Sequence, residues 1–380
     1  MGYALTNSVI YTAKDILYGY AVIVEGEQIT AIVREEDVPS EMKKMDLGGH
    51  NLTAGFIDLQ LNGCGGVMFN DDTSVKTLEI MQQTNLKSGT TSFLPTFITS
   101  PDEDMKSAVK IMGDYLAKHK NQALGLHLEG PYISIEKKGT HQPQYIREIS
   151  LEMKDFLLAN AHVISKITIA AENPTSRYIP DFVKQGIVVS VGHSNASYAI
   201  AKQAFAKGAT FATHLHNAMS PVSSGREMGV VGAVLDSDDI YTAIIVDGLH
   251  VDFANVKIAK RVKGDKLCIV TDSLAAAGAD VESFSFVGKT IYVRDGKCVD
   301  ANGVLSGASI TMIESLKNAV REVNIPLDEA LRMCNYYPAK AIKVDDRLGS
   351  VEVGKIANLT VFKNDFSVLG SAVNGDWQFF

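Results

Sequence analysis

Eight short apolar runs separated by helical patterns occupy residues 55–272, and this alternation is the strongest constraint on the fold. The runs are GFIDLQL (55–61), TTSFLPTF (90–97), LGLHLE (124–129), KITIAAE (166–172), IVVSVGH (187–193), TFATHLH (210–216), YTAIIVD (241–247) and LCIVTD (267–272). Runs of this length that lack strict alternation suit strands buried on both faces, and parallel strands need crossover helices between them. Gly186, Gly208 and Gly264 follow amphipathic stretches where a helix would stop, and Ser100, Pro101 and Glu103 read as a capping-box start. Eight such units predict an α/β fold, a closed (β/α)8 TIM-like barrel over 51–345.

The flanks carry a different pattern. Residues 1–50 and 346–380 contain alternating runs such as YAVIVEGEQITAIV and GSVEVGKIANLTVF. They predict a second, smaller, β-sandwich-like domain built from both termini. A hairpin-like stretch at 289–303 precedes a helical segment at 309–323, and its domain membership is open.

In such a barrel the C-terminal ends of the strands surround the active-site mouth. The runs place Gln60 and Asn62, Glu129, Glu172, His193, His214 and His216, Asp247 and Asp272 at those ends. Glu129, His193 and His214 together offer one carboxylate and two imidazoles, a donor set suited to Zn²⁺ or a similar divalent ion with one position open to water. A single histidine beside apolar residues is more often a hydrogen-bonded structural group; joint placement on three strand ends favours the metal site. Asp272 projects into the same mouth, where a carboxylate can take a proton from water and return it to a leaving amine. The plainer alternative is that Asp272 caps the following segment.

A formal net charge of -8 gives no general attraction to nucleic acid or anionic membranes, so neither is expected as a partner and any anionic ligand needs a local basic pocket. Four cysteines without a CxxC pair suggest neither a disulfide framework nor a thiolate zinc site. No apolar stretch approaches the ~20 residues needed to span a bilayer, and the N-terminus lacks a signal-like pattern. The expected setting is cytoplasmic.

Nine motifs stand in order along the chain: AGFIDLQLNGCGG (54–66), HLEGPY (127–132), GTHQP (139–143), VGHS (191–194), THLHNAM (213–219), GRE (225–227), DGLHV (247–251), VTD (270–272) and LSG (305–307). Together they make the chain similar to the N-acetylglucosamine-6-phosphate deacetylases of the amidohydrolase superfamily. The resemblance implies metal ligation by Glu129, His193 and His214, and general base and acid work by Asp272. It assigns His141 to polarising the acetamide carbonyl. It also implies sugar-phosphate contacts from Asn217, Ala218, Arg226 and His250, and places Leu305, Ser306 and Gly307 at the substrate. Arg226 and His250 are expected to reach a neighbouring subunit's site in a homodimer.

Departures from the pattern refine these expectations. Many amidohydrolases carry HxH at the end of strand one, supplying two more ligands, whereas this chain has Gln60 and Asn62. Amides are poor zinc ligands, so one metal ion per site is expected, with Gln60 and Asn62 orienting water or the groups behind the ligands. His216 replaces the aromatic residue more usual there; two positions from His214, it is left off the ligand set. The sequence keeps two rivals in play, an amidohydrolase for cyclic amides or nucleobases and a non-catalytic sugar-phosphate sensor on the same barrel.

Overall fold

The computed structural model describes residues 2–380. Each of the eight runs contributes a strand: β1 (Phe56–Leu61), β2 (Thr90–Ile98), β3 (Leu126–Glu129), β4 (Ile164–Ile169), β5 (Val188–Val191), β6 (Phe211–Ala212), β7 (Tyr241–Ile245) and β8 (Leu267–Val270). They pair side by side in chain order, all parallel. Closure comes from a parallel bridge between Leu61 and Ser273 and from Asp272 N donating to Gln60 O at 2.9 Å. All six residues of β1 and all nine of β2 are buried, as strands packed on both faces must be.

Side chains set several helix starts: Ser74, Ser150, Ser197 and Asp252 each accept a backbone N–H of the first turn. The capping box expected at Ser100 does not form. The helix Asp102–Leu116 begins at Pro101 without a side-chain cap; the Ser100 oxygen accepts from Asn70 Nδ2 (3.2 Å) instead, and its hydroxyl donates to Ile98 O. A capping box is present at Thr311 and Glu314, ahead of the helix Met312–Arg321.

The terminal strands build one mixed sheet, in the order Asp376–Phe379, Val368–Val373, Leu359–Phe362, Lys43–Ala54, Tyr3–Tyr11, Tyr20–Glu25, Gln28–Arg34. The sheet curls over a core of Leu5, Val22, Val24, Leu52 and Val361. Its N-terminal and C-terminal parts are further tied where Tyr3 Oη donates to Gly375 O (2.6 Å) and Gln28 bridges Ile356. Thr360 Oγ1 donates to Gly89 O and Asn358 Nδ2 to Asn121 O, both 2.8 Å, so the sheet docks beneath the starts of β2 and β3. It supports the barrel from the end opposite the mouth.

The hairpin-like stretch belongs to a four-stranded antiparallel sheet of Ser283–Phe286, Lys289–Arg294, Lys297–Val299 and Leu305–Gly307. Leu274 N donates to Ala308 O and Ala308 N to Asp272 O, which ties this sheet to the end of β8 and over the mouth. Among the described residues no helix is long and apolar enough to cross a membrane, and all four cysteines are buried as free thiols.

Candidate metal centre and substrate pocket

Glu129, His193 and His214 converge at the mouth from β3 and from just beyond β5 and β6. His214 Nε2 lies 3.0 Å from Glu129 Oε1, His193 Nε2 lies 3.2 Å from that oxygen, and the two imidazole nitrogens are 3.1 Å apart. Donors bound at zinc distances in a tetrahedron stand about 3.3 Å apart, so the triangle is the size an ion requires. His193 Nδ1 sits 2.7 Å from Lys137 O, which fixes a ring proton on that nitrogen and aims Nε2 at the other two donors. Burial raises the Glu129 carboxyl, but hydrogen bonds and charge from His193 and His214 prevail and hold it well below the usual range. An ionised carboxylate and two imidazoles, buried together, fit a divalent cation.

Backbone strain aims these groups. His193 (φ +46°), His214 (φ +29°), Ala218 (φ +51°) and Asp272 (φ +50°) all occupy the left-handed region, which costs non-glycine residues roughly 1–3 kcal/mol each. Just before His193, a Cβ on Gly192 would lie 2.7 Å from Thr213 Cβ, so only glycine lets the chain pass there. The strand β6 ends at Ala212, so regular alternation no longer governs His214 and His216. His216 (φ +79°) is half-buried and lies outside the donor triangle.

Asp272 stands beside that triangle. Its Oδ1 accepts from Asn62 Nδ2 (2.8 Å) and Gln60 Nε2 (3.1 Å), and Gln60 Nε2 also donates to Glu129 Oε1 (2.9 Å). The two amides at the usual HxH positions therefore lock the carboxylates in place. Burial pushes the Asp272 carboxyl up, and the nearby Glu129 charge adds to it. A cation among the three donors acts in the opposite direction.

His141 enters from the loop after β3, with Nδ1 2.7 Å from Thr99 Oγ1 and Nε2 3.9 Å from Glu129 Oε2. Burial and then the charge of His193 hold its imidazole well below the ordinary range. Asn217, Ala218, His250, Leu305, Ser306 and Gly307 line the same cavity. His250 is anchored there by Asp247 Oδ2, 2.6 Å from Nδ1. Arg226 is exposed and lines a separate hollow with Tyr198 and Met228. Glu172, also at a strand end, accepts from Ser194 Oγ and Asn195 N and so braces the turn after His193.

Several contributors escape a reading by strand ends. Thr99 holds His141, and Ile98 and Phe286 line the cavity. Asp58 ties β1 to β8 by accepting from Thr271 N and Oγ1; burial, against those hydrogen bonds, pushes its carboxyl up to about 7. An acid within the apolar run FIDLQL is the only signal Asp58 gives in the sequence.

A barrel with buried Glu, His and His donors beside an acid defines a metal-dependent hydrolase, and the amidohydrolase family model matches residues 51–377, with the NagA composite domain matching 2–52. The chain is 70% identical over 380 residues to the N-acetylglucosamine-6-phosphate deacetylase of Haemophilus influenzae, covering 100% of both chains. The crystal structure of that enzyme from Pasteurella multocida is 73% identical, with a TM-score of 0.99 and full coverage of both chains. A Mycobacterium smegmatis mutant enzyme in complex with N-acetyl-D-glucosamine-6-phosphate is 26% identical, with a TM-score of 0.92 over 99% of each chain. The chain belongs to the N-acetylglucosamine-6-phosphate deacetylase family of amidohydrolases.

Proposed function

We infer that this chain hydrolyses the acetamide of N-acetylglucosamine 6-phosphate, giving glucosamine 6-phosphate and acetate. The observation that carries the reading is the donor triangle of Glu129, His193 and His214 with Asp272 hydrogen-bonded alongside it. We assign one divalent ion to the triangle, with Zn²⁺ the ion its nitrogen and oxygen donors suit best. Held there, such an ion lowers the pKa of water towards ~7 and polarises a carbonyl.

The protein's own groups do the rest. Asp272 accepts the proton of the attacking water and delivers it to the amine nitrogen as the C–N bond breaks, because an unprotonated amine is a poor leaving group. His141, fixed through Thr99, turns its Nε2 side to the acetamide oxygen. Asn217 Nδ2, a buried donor with no protein partner, and His250 face the sugar phosphate with Ala218 and the Leu305–Gly307 strand. A phosphosugar is charged and intracellular, and the four free thiols agree with a reducing cytoplasm.

Metal analysis of the purified protein should give one tightly held ion per chain. Two tight ions would mean that Gln60 and Asn62 do not close the second site. Acetate release from N-acetylglucosamine 6-phosphate, set against turnover of dihydropyrimidines and nucleobases, tests the reaction; activity on the latter group alone would replace it.

Arg226 stands outside the pocket of its own chain, and a phosphate in an acidic protein calls for a guanidinium fork. We assign it to the site of a second copy in a homodimer. Arg226→Ala should raise KM by roughly 10- to 100-fold, the loss of a charged hydrogen bond, with a smaller change in kcat. Co-expressed Arg226→Ala and Asp272→Asn chains should regain activity in mixed dimers, where one site has both residues intact. Activity no higher than that of the separate variants would place Arg226 elsewhere.

A further inference from the structure

Ile98 and Phe286 contribute apolar side chains to the wall of the pocket that holds the donor triangle, as do Ala218 and Leu305. Ile98 ends β2 immediately before Thr99, the residue that holds His141, and Phe286 comes from the sheet over the mouth. Both are buried, in one cluster with Met68 and Leu274. The tip carrying Phe286 is a two-residue hairpin turn, since Phe286 pairs with Lys289 and both Val287 (φ +46°) and Gly288 (φ +77°) are left-handed. Glycine suits that conformation; a β-branched valine does not.

Two neighbours hold the strained tip. Asp71 accepts from Ser285 Oγ through Oδ1 (3.0 Å) and from Val287 N through Oδ2 (3.1 Å). On the other side Gln142, next to His141, donates its Nε2 to Val287 O. An exposed carboxylate and an amide thus fix an aromatic ring against the cavity. We propose that Phe286, backed by Ile98 and positioned by Asp71, limits the size of the acyl group the enzyme removes. The inference rests on the reaction assigned above: sugar hydroxyls and phosphate need polar partners, and the acyl methyl is the one apolar part next to the scissile carbon. An apolar wall beside the residue that faces the carbonyl meets that methyl, and one extra methylene against such a wall is worth roughly 10- to 200-fold in discrimination.

The experiment compares kcat/KM for N-acetyl-, N-propionyl- and N-butyrylglucosamine 6-phosphate in the wild type, Phe286→Ala, Phe286→Leu and Asp71→Ala, with metal content measured for each. The wild type should favour acetyl over propionyl by at least about tenfold, and Phe286→Ala should raise the propionyl-to-acetyl ratio by about tenfold or more. Phe286→Leu and Asp71→Ala should move it the same way by less. A purely structural role lowers all three substrates together, so an unchanged ratio in active variants overturns the inference. Should Phe286→Ala fail to fold, the leucine and Asp71 variants decide by the same ratio. A wild type that releases no acid from any of the three overturns the assigned reaction and the inference with it, which separates that failure from a flat ratio.

Discussion

Asp272→Asn should lower kcat by roughly 10³-fold while KM stays within a few-fold of the wild type, the mark of a group that acts only in the transition state. The substitution keeps size and shape. An asparagine oxygen at the same place still accepts from Asn62 Nδ2 and Gln60 Nε2, which lie 2.8 and 3.1 Å from Oδ1, so the amides that position the residue keep their partner. The bridge from Gln60 to Glu129 is untouched, and the donor triangle should hold its ion. What disappears is a group able to take a proton from water and give it to the departing amine. Steady-state rates with metal content measured on the same sample check this. Turnover near the wild-type value with a full complement of metal would show that another residue carries the proton.

The same position shows how far a sequence reading reaches. Each apolar run contains a strand, because burial on both faces leaves a compositional signature that depends only on local residues. The convergence of Glu129, His193, His214 and Asp272 is legible for a related reason: in a parallel barrel the strand ends share one rim, so chemistry at strand ends can be pooled without knowing any side-chain direction. The means of aiming is not legible. Left-handed backbone at His193, His214 and Asp272 goes against local preference and is imposed by neighbours distant in sequence, such as Thr213 and Thr168 packed against Gly192. Gln60 and Asn62 are visible as departures from HxH, but their bonds to Asp272 depend on β1 meeting β8 at the closure of the barrel. Phe286 is hidden more deeply, since nothing in SFSFVGK announces that its turn lies over a cavity assembled from β2, β3 and β8. Ser100 is an instructive failure, because its motif suits a cap while its oxygen accepts from the amide of Asn70, distant in sequence, and its hydroxyl donates to Ile98 O.

Glu129→Gln should abolish tight metal binding and lower kcat/KM by at least roughly 10³-fold, because the donor triangle loses its one carboxylate and keeps only two imidazoles to hold an ion. Volume is conserved, so the surrounding packing should survive. The electrostatics are not conserved: the wild-type carboxylate is kept ionised by His193 and His214 against the cost of burial, and a neutral amide cannot answer those two imidazoles or bind zinc well. The new amide also has a donor face, and one of its orientations sets that face against Gln60 Nε2, which donates to Glu129 Oε1 in the wild type. Metal content should fall from one ion per chain to near zero after dialysis. Thermal unfolding offers a reading independent of turnover, since a ligand bound only by the folded chain adds about 2.7 kcal/mol at a concentration 100 times its Kd. Added Zn²⁺ should therefore raise the melting temperature of metal-stripped wild type by several degrees and leave that of Glu129→Gln unmoved. A variant that keeps one ion per chain, gains the same thermal protection and turns over normally would show that the cation is held by a different set of donors.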